Sequence, residues 1–525
     1  MKPLEIPTFQ PRLKVLNRDQ ALAIHASALE ILDKTGFKME HPGAREMLAD
    51  AGCRILNNDW LRMPSYLVEE ALRSAPTQIT LYDQKGNKTM PLANGNSFYG
   101  TGSDATFTLD LETGVRRRAV KKDVENFARL VDGLENIAFA MSMGNPEDVP
   151  IEHIYVYVFA EMVKNTNKPI VFIADSGKDI AKIYDIACQV AGSEDALQRK
   201  PFILNYSEAI SPLRFPENVM ERLMFCAEKK IPVCFPSGSN AGGGAPVTLA
   251  GAMALGIAEN LVGLVVHQMV GKGSPFLFGP NVSILDMKSS VVSYGCPEWS
   301  LTQAALADMR DEIYGLPIWA YAGASDAKVM DAQAGAEAMF SIITALLSRS
   351  NLIHDVGFLE YGSTSCLEMV CMANELISMS RFFAEGIPVT DQTLALEAIE
   401  RVAKGEPGSI FLTDDHTFEN FMQSLFLPKI LDRSRYDSWK SAGAMDFYKR
   451  CNVEAKRILS EHQVVPKQCM VFRKRSRVQR FRGSRFYSCP RTAFGMRIYE
   501  KSVSFVSPNP KFEAKLAITW ENEHL

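Results

Sequence analysis

The chain has 525 residues, enough for one large domain with extensions or two to three smaller ones, and its 46% hydrophobic and 22% charged residues are those of an ordinary soluble globular protein. Its net charge of −4 is unevenly spread: residues 467–525 carry 13 Lys/Arg against 4 Asp/Glu, and the first 466 carry 44 against 57, so the tail belongs to a different compositional class. No apolar run reaches the ~20 residues of a membrane helix and the start lacks a secretory core, so the expected compartment is the cytoplasm.

Ten cysteines without a CxxC pair argue for free thiols rather than a disulfide framework or structural zinc. Eight scattered histidines form no HExxH or HxH, and no metal site is expected.

In chain order, Asn17 and Gln20 form a capping-box pattern ahead of a helix, with apolar spacing at Ala21, Ile24, Ala28, Ile31 and Leu32, that Gly36 stops. Further helices are predicted over 42–51 and from Pro64 to about Ala75. QITLYDQKGNKTMPL and NSFYGTGSDATFTLDLETG read as β-hairpins with Gly86 and Gly114 at turns. Residues 1–115 are therefore predicted to be a helical and β-hairpin extension.

From about Asn136 short apolar strands alternate with helices. Strands are predicted at 137–143, 169–174, 201–207, 231–237, 275–280, 317–323 and 352–358, with helical periodicity over 177–193, 216–229, 247–270, 297–314 and 331–349. Such alternation means parallel pairing with right-handed crossovers. Seven units are visible and eight would close a barrel. A dinucleotide-binding sheet is the rival, but the glycine-rich run SGSNAGGGAPVTLAG follows the fourth visible strand and lacks GxGxxG. The expected fold class is α/β, a (β/α)8 TIM-type barrel spanning 116–466 with C-terminal helices.

In such a barrel the chemistry gathers at the strand C-termini. Those ends offer Asn145, Asp175, Tyr206, Glu208, Phe235, Ser237, Phe278, Tyr321, Ser325, Asp326, Lys328, Glu360 and Tyr361, and the hairpin residues Tyr99, Ser103 and Asp104 could fold over the same mouth. Aromatics and carboxylates dominate. Aromatic faces attract quaternary ammonium at roughly 0.5–2 kcal/mol per ring when desolvated, and a carboxylate such as Glu360 or Asp326 adds to that. Aromatics at strand ends also serve as plain core. Lys328 could form a Schiff base, or an ion pair with Asp326 or Asp331. Glu298, beside Trp299, suits a helix start, and Cys366 and Cys371 suit buried structural thiols. No GxSxG supports a serine nucleophile.

The segments AIHASALEILDKTGFKMEHPGAREMLADAG, YGTGSDATFTLDLETG, GGGAPVTLAGAMAL, GCPEWSLTQAALADM, YAGASDAKVMDAQAG and GFLEYGSTSCLEMVCMANE resemble the trimethylamine methyltransferase family over roughly residues 12–466. The resemblance implies a barrel enzyme that moves a methyl group from an amine to Co(I) of a corrinoid presented by a separate protein. It also implies that WAYAGASDAKVMDAQAG is where trimethylamine-demethylating members carry pyrrolysine; here that position falls on Ala324. Members without pyrrolysine use quaternary amines such as glycine betaine, proline betaine or carnitine.

A quaternary ammonium already carries its charge and releases a neutral amine, so binding, orientation and desolvation suffice. The expected substrate is therefore a glycine betaine-like amine. Glu360 and Asp326 are the expected catalytic or orienting carboxylates, and Tyr99, Phe235, Phe278, Trp319, Tyr321 and Tyr361 are cage candidates. Ala324 supplies room, and a betaine carboxylate is expected to meet Lys328, Ser237, Ser325 or amides of 238–245. A trimethylamine methyltransferase, a Schiff-base lyase and a non-catalytic amine binder remain open. The expected partners are the corrinoid protein and the amine, in a homo-oligomer, without nucleic acid or membrane. RKRSRVQRFRGSRFYS mixes arginine with aromatics as nucleic-acid contacts do, but the favoured reading of 467–525 is a disordered or frame-shifted end.

Overall fold

The computed structural model describes residues 5–6, 10–93 and 95–464; the predicted basic tail lies outside them. The fold is mixed α/β. Eight short strands carry it: β1 (Phe98–Thr101), β2 (Ile137–Phe139), β3 (Ile170–Phe172), β4 (Ile203–Tyr206), β5 (Val233–Cys234), β6 (Phe276–Leu277), β7 (Trp319–Tyr321) and β8 (Leu352–Val356). One parallel sheet runs β2-β1-β8-β7 and another β3-β4-β5-β6. Isolated parallel bridges join Ala140 to Ile170 and Phe278 to Ile318.

A helix follows each strand: Lys121–Gly133, Ile154–Asn165, Gly177–Ala191, Glu217–Lys229, Leu249–Val270, Pro297–Met309, Ala332–Leu347 and Leu367–Glu385. Local chemistry sets their ends. Ser176 accepts a hydrogen bond from the Asp179 amide and Gly192 closes the same helix at φ +100°; Asp331 accepts from the amides of Gln333 and Ala334.

The strands are apolar on both faces, and alternate residues join different cores, as a side-chain period of two requires. Phe139, Val171, Leu204, Cys234, Leu277, Trp319 and Leu352, with Phe98 against them, form one cluster taking a residue from every strand. Neighbours such as Ile170, Ile203, Val233 and Ile353 pack instead among helix residues. The hairpin Ile79–Tyr82/Lys88–Leu92 forms as predicted and adds Ile79, Leu81, Met90 and Leu92 to the first cluster. Its backbone bonds to Pro201 and Asn167, just ahead of β4 and β3, set it at the strands' N-terminal ends. The C-terminal ends are left for the site.

Two expectations are corrected. All seven anticipated strands form, but Phe98–Thr101 is not a hairpin arm in an extension ending at 115: it lies between β8 and β2, so the sheet crosses that boundary. The hairpin in this region is Phe107–Leu109 with Arg116–Arg118. Moreover, Leu249–Val270 is long and apolar enough to cross a membrane, but 83% of its most apolar stretch is buried within the protein. Its Glu259 accepts hydrogen bonds from Ser211, Ser239 and the Leu213 amide, a set of partners that a core helix provides.

Beyond Glu385 the chain makes an excursion over 386–446 in which only Ala398 and Ile430 are buried. Helix Phe447–Glu461 then packs on Leu367–Glu385 through Cys451, Ala455 and Ile458, and Asn452 bonds Glu368 at 2.7 Å.

Candidate active site

The site is built around an irregularity in β8. Ile353 pairs with Tyr99 and Val356 with Thr101, so two residues of β8 oppose the single Gly100. This is a β-bulge, and Asp355 within it takes φ +72°, a left-handed conformation that costs a non-glycine residue roughly 1–3 kcal/mol. The twist brings two consecutive side chains together, leaving His354 Nδ1 2.6 Å from Asp355 Oδ1. Gly102 makes room, since a Cβ there would collide with Asp355 Oδ1 and the Phe358 ring. Asp104 (φ +67°) and Met143 (φ +60°) hold left-handed conformations in the neighbouring loops.

Aromatic rings cover this pair. Trp319 stacks on the His354 ring at 4.2 Å and 29°, with Tyr206 5.4 Å from Trp319. Beside them Trp299 lies 4.0 Å from Tyr321 and 4.6 Å from Tyr294. Tyr294 is placed by others: Asp326 accepts from Ser293 Oγ (2.5 Å) and from the amides of Tyr294 (2.7 Å) and Gly295 (3.0 Å), while the Tyr321 hydroxyl donates to the Tyr294 carbonyl (3.0 Å).

Three carboxylates converge here. Burial pushes Asp104 up to about 6; nearby Glu208 and Asp355 push the same way, against hydrogen bonds from Asn145 and Ser103. Burial also raises Glu208, with Asp355 adding, although Tyr206 donates to it at 2.8 Å and His354 lies close. Glu208 keeps an exposed surface. His354 is a cationisable side chain paired with one of the three, Asp355. Buried Asp104 Oδ1, Asn145 Oδ1, Asp355 Oδ2, His354 Nε2 and Trp319 Nε1 have no hydrogen-bond partner within the protein. Negative charge, π faces and unspent polar atoms suit a small organic cation with polar ends.

Of the sequence-predicted residues, Trp319 and Tyr321 come together here. Tyr99, Phe235 and Phe278 do not: Tyr99 donates to the Ile342 carbonyl on a covering helix, Phe235 stacks with Phe215, and Phe278 packs on Tyr314. They are fully buried in the outer core, one strand residue out of phase with the site. Ala324 is also fully buried, in the apolar cluster with Ala334 and Ala338. Lys328 is exposed and donates to the Asp326 carbonyl at 2.7 Å rather than to a carboxylate, an arrangement unlike a Schiff-base lysine's. Ser325 donates to Glu337 at 2.5 Å, and Ser237 to the Asn281 carbonyl at 3.2 Å.

Glu360 pairs with Arg116 at 2.8 Å and accepts from Thr364 at 2.5 Å, and Tyr361 follows it with φ +50°. Asp326 spends its oxygens on the 293–295 segment. Both expected catalytic carboxylates thus have partners of their own within the protein. Burial raises the thiols of Cys366 and Cys371 well above the usual range, in keeping with inert structural cysteines.

Sequence reasoning passed over His354, Asp355 and Tyr294 as site residues. His354-Asp355 does carry a signal, being a polar pair inside the apolar strand LIHDVGF, where burial must be compensated. Tyr294 carries none, because its place depends on a latch from β7.

The sequence model of the family described as Trimethylamine methyltransferase (MTTB) matches residues 4–468. A trimethylamine methyltransferase, MttB, from Desulfitobacterium hafniense (strain DSM 10664 / DCB-2) is 31% identical over 449 residues, covering 85% of this chain and 90% of the relative. A glycine betaine methyltransferase from Desulfitobacterium hafniense (strain Y51) is 30% identical, covering 82% and 89%. MttB from Methanosarcina thermophila is 30% identical, covering 86% and 94%. Among solved structures, the hydroxylamine complex of MtmB resembles the fold with a TM-score of 0.50 and 10% identity, covering 87% of this chain and 90% of that one.

Proposed function

The chain belongs to the trimethylamine methyltransferase family, and from that premise we propose that it demethylates a quaternary amine of the glycine betaine type, with a corrinoid protein as partner. Relatives named for trimethylamine and for glycine betaine are 31% and 30% identical, so identity does not choose between them. The observation that carries the choice is the convergence of Asp104, Glu208 and Asp355 beside Trp319, Tyr206 and Tyr294. A permanent cation offsets three crowded carboxylates at any pH, whereas a tertiary amine does so only while it is protonated. Ala324, at the position where the family resemblance expects pyrrolysine, supports the same reading.

The fold supports a closed (β/α)8 barrel. The two isolated bridges link both pairs of sheet edges, and every strand gives one residue to the inner cluster. A soluble, cytoplasmic enzyme fits the burial of Leu249–Val270. The excursion over 386–446 exposes Leu396, Leu412, Phe418 and Met422, and a homo-oligomer would cover them.

The reduced corrinoid, as methyl acceptor, supplies the nucleophilic Co(I). The protein's residues do the rest. The carboxylates and rings hold the ammonium and exclude water, and orientation places one N-methyl group outward. As the C–N bond breaks, its electron pair stays on nitrogen, the methyl leaves as a cation equivalent, and a neutral tertiary amine is released without proton transfer. Preorganisation rather than acid–base chemistry supplies the rate. Purified protein mixed with a Co(I) corrinoid protein is expected to consume Co(I), followed by absorbance, with glycine betaine; consumption with trimethylamine and with no quaternary amine overturns the proposal.

A further inference from the structure

Trp319 and His354 are 1% and 6% exposed, yet Trp319 Nε1 and His354 Nε2 have no acceptor within the protein. Their rings stack at 4.2 Å, on adjacent strands β7 and β8. An indole nitrogen is only ever a donor. An imidazole held through Nδ1 on the Asp355 carboxylate leaves Nε2 unspent, and Nε2 donates when the ring is the imidazolium. A buried indole donor beside a second unpartnered ring nitrogen is costly unless a group that satisfies both arrives, because an unmet buried polar atom forfeits its hydration.

A free anion is a poor candidate, since Asp104, Glu208 and Asp355 lie close to one another there. A zwitterion is a good one: its positive end meets the carboxylates and its negative end meets the donors. The two ends are close: His354 Nδ1 lies 2.6 Å from Asp355, and its ring lies 6.4 Å from that of Tyr206, whose hydroxyl donates to Glu208.

We propose that Trp319 Nε1 and His354 Nε2 form the carboxylate-recognition element of this site, making it selective for short trimethylammonium carboxylates over quaternary amines that lack the carboxylate. The inference rests on the quaternary-amine reading above and deepens it. The carboxylate lies inward on the Trp319–His354 pair and the N-methyl groups face outward, where an acceptor carried by another protein can reach them. Asp355 is then a positioning residue for His354 as well as a counter-charge for the ammonium.

Calorimetric titration of the full-length enzyme, without corrinoid protein, tests this with glycine betaine, choline and tetramethylammonium. Wild type is expected to bind glycine betaine at least about ten-fold more tightly than choline. Trp319→Phe keeps a ring but loses the donor, and His354→Phe keeps the stack but loses both nitrogens. Each is expected to weaken glycine betaine about ten-fold while changing choline and tetramethylammonium by less than about two-fold. Far-ultraviolet circular dichroism checks that each variant is folded, and Trp319→Phe decides the matter if His354→Phe is not. Equal losses for all three ligands, or choline binding as well as betaine, overturn the inference and leave the quaternary-amine reading standing. Failure of all three to bind overturns both.

Discussion

His354 and Asp355, consecutive in β8, face each other at 2.6 Å because a bulge turns Asp355 to φ +72°. In a regular strand neighbours point to opposite faces, and one of the two would be lost among the outer helices. Asn also tolerates the left-handed region, so Asp355→Asn is expected to keep folding stability within about 1 kcal/mol while weakening quaternary-ammonium binding roughly ten-fold. Asp355→Val, β-branched at positive φ, is expected to lose about 2–3 kcal/mol or more in urea unfolding. Comparable stability of the two variants would contradict the strain argument.

Asp104 sets a pH dependence. Its native carboxyl is raised to about 6 from 3.8, so the folded protein binds the extra proton between those values. The cost of ionising it in place is absent below about 4 and fully present above about 6, and stability is expected to fall as pH rises through that window. Glu208, Asp355 and Tyr155 are the titratable groups that face it. A quaternary ammonium cannot titrate, so its affinity is expected to drop as pH falls below about 6. Asp104→Asn should flatten the affinity profile and raise the melting temperature at pH 7; an unchanged profile would remove Asp104 from the site.

Asp326 is expected to act through Tyr294. Its three hydrogen bonds hold the 293–295 segment, and Asp326→Ala should cost on the order of 2 kcal/mol of stability and raise KM for the amine several-fold. The value of kcat at saturation should change far less. A collapse of kcat at unchanged KM would instead place the carboxylate at the reacting atoms.

Lys328, exposed and tied to its own loop, is expected to be dispensable. Lys328→Met should retain methyl transfer and amine affinity within about two-fold of wild type. Loss of activity together with borohydride trapping of a carbonyl compound would revive Schiff-base chemistry.

The 386–446 excursion leaves Leu412 at 79% and Phe418 at 80% exposure. The double variant Leu412→Glu/Phe418→Glu should reduce the mass seen by analytical ultracentrifugation without lowering the melting point of the isolated subunit. An identical mass for variant and wild type would assign those side chains another role.

What the sequence by itself determined is the rhythm. Buried strands such as Ile170–Phe172 and Ile203–Tyr206, apolar on both faces and separated by helices, announce parallel pairing locally, and seven of the eight strands could be read that way. β1 could not, because Phe98–Thr101 precedes a turn-rich run that looks like a hairpin, and its partner Leu352 lies more than 250 residues away. The site was legible only in kind, as aromatics with carboxylates at strand ends. Which ones face inward is a question of phase: one residue of register separates Trp319, which reaches the site, from Tyr99, Phe235 and Phe278, which do not. Only the tertiary structure decided that phase, since bulges such as the one at His354-Asp355 and latches such as Asp326 on Tyr294 arise from pairings between distant segments. Local pattern records what a residue prefers to be buried against, and the pairing of strands decides which side of the sheet it meets.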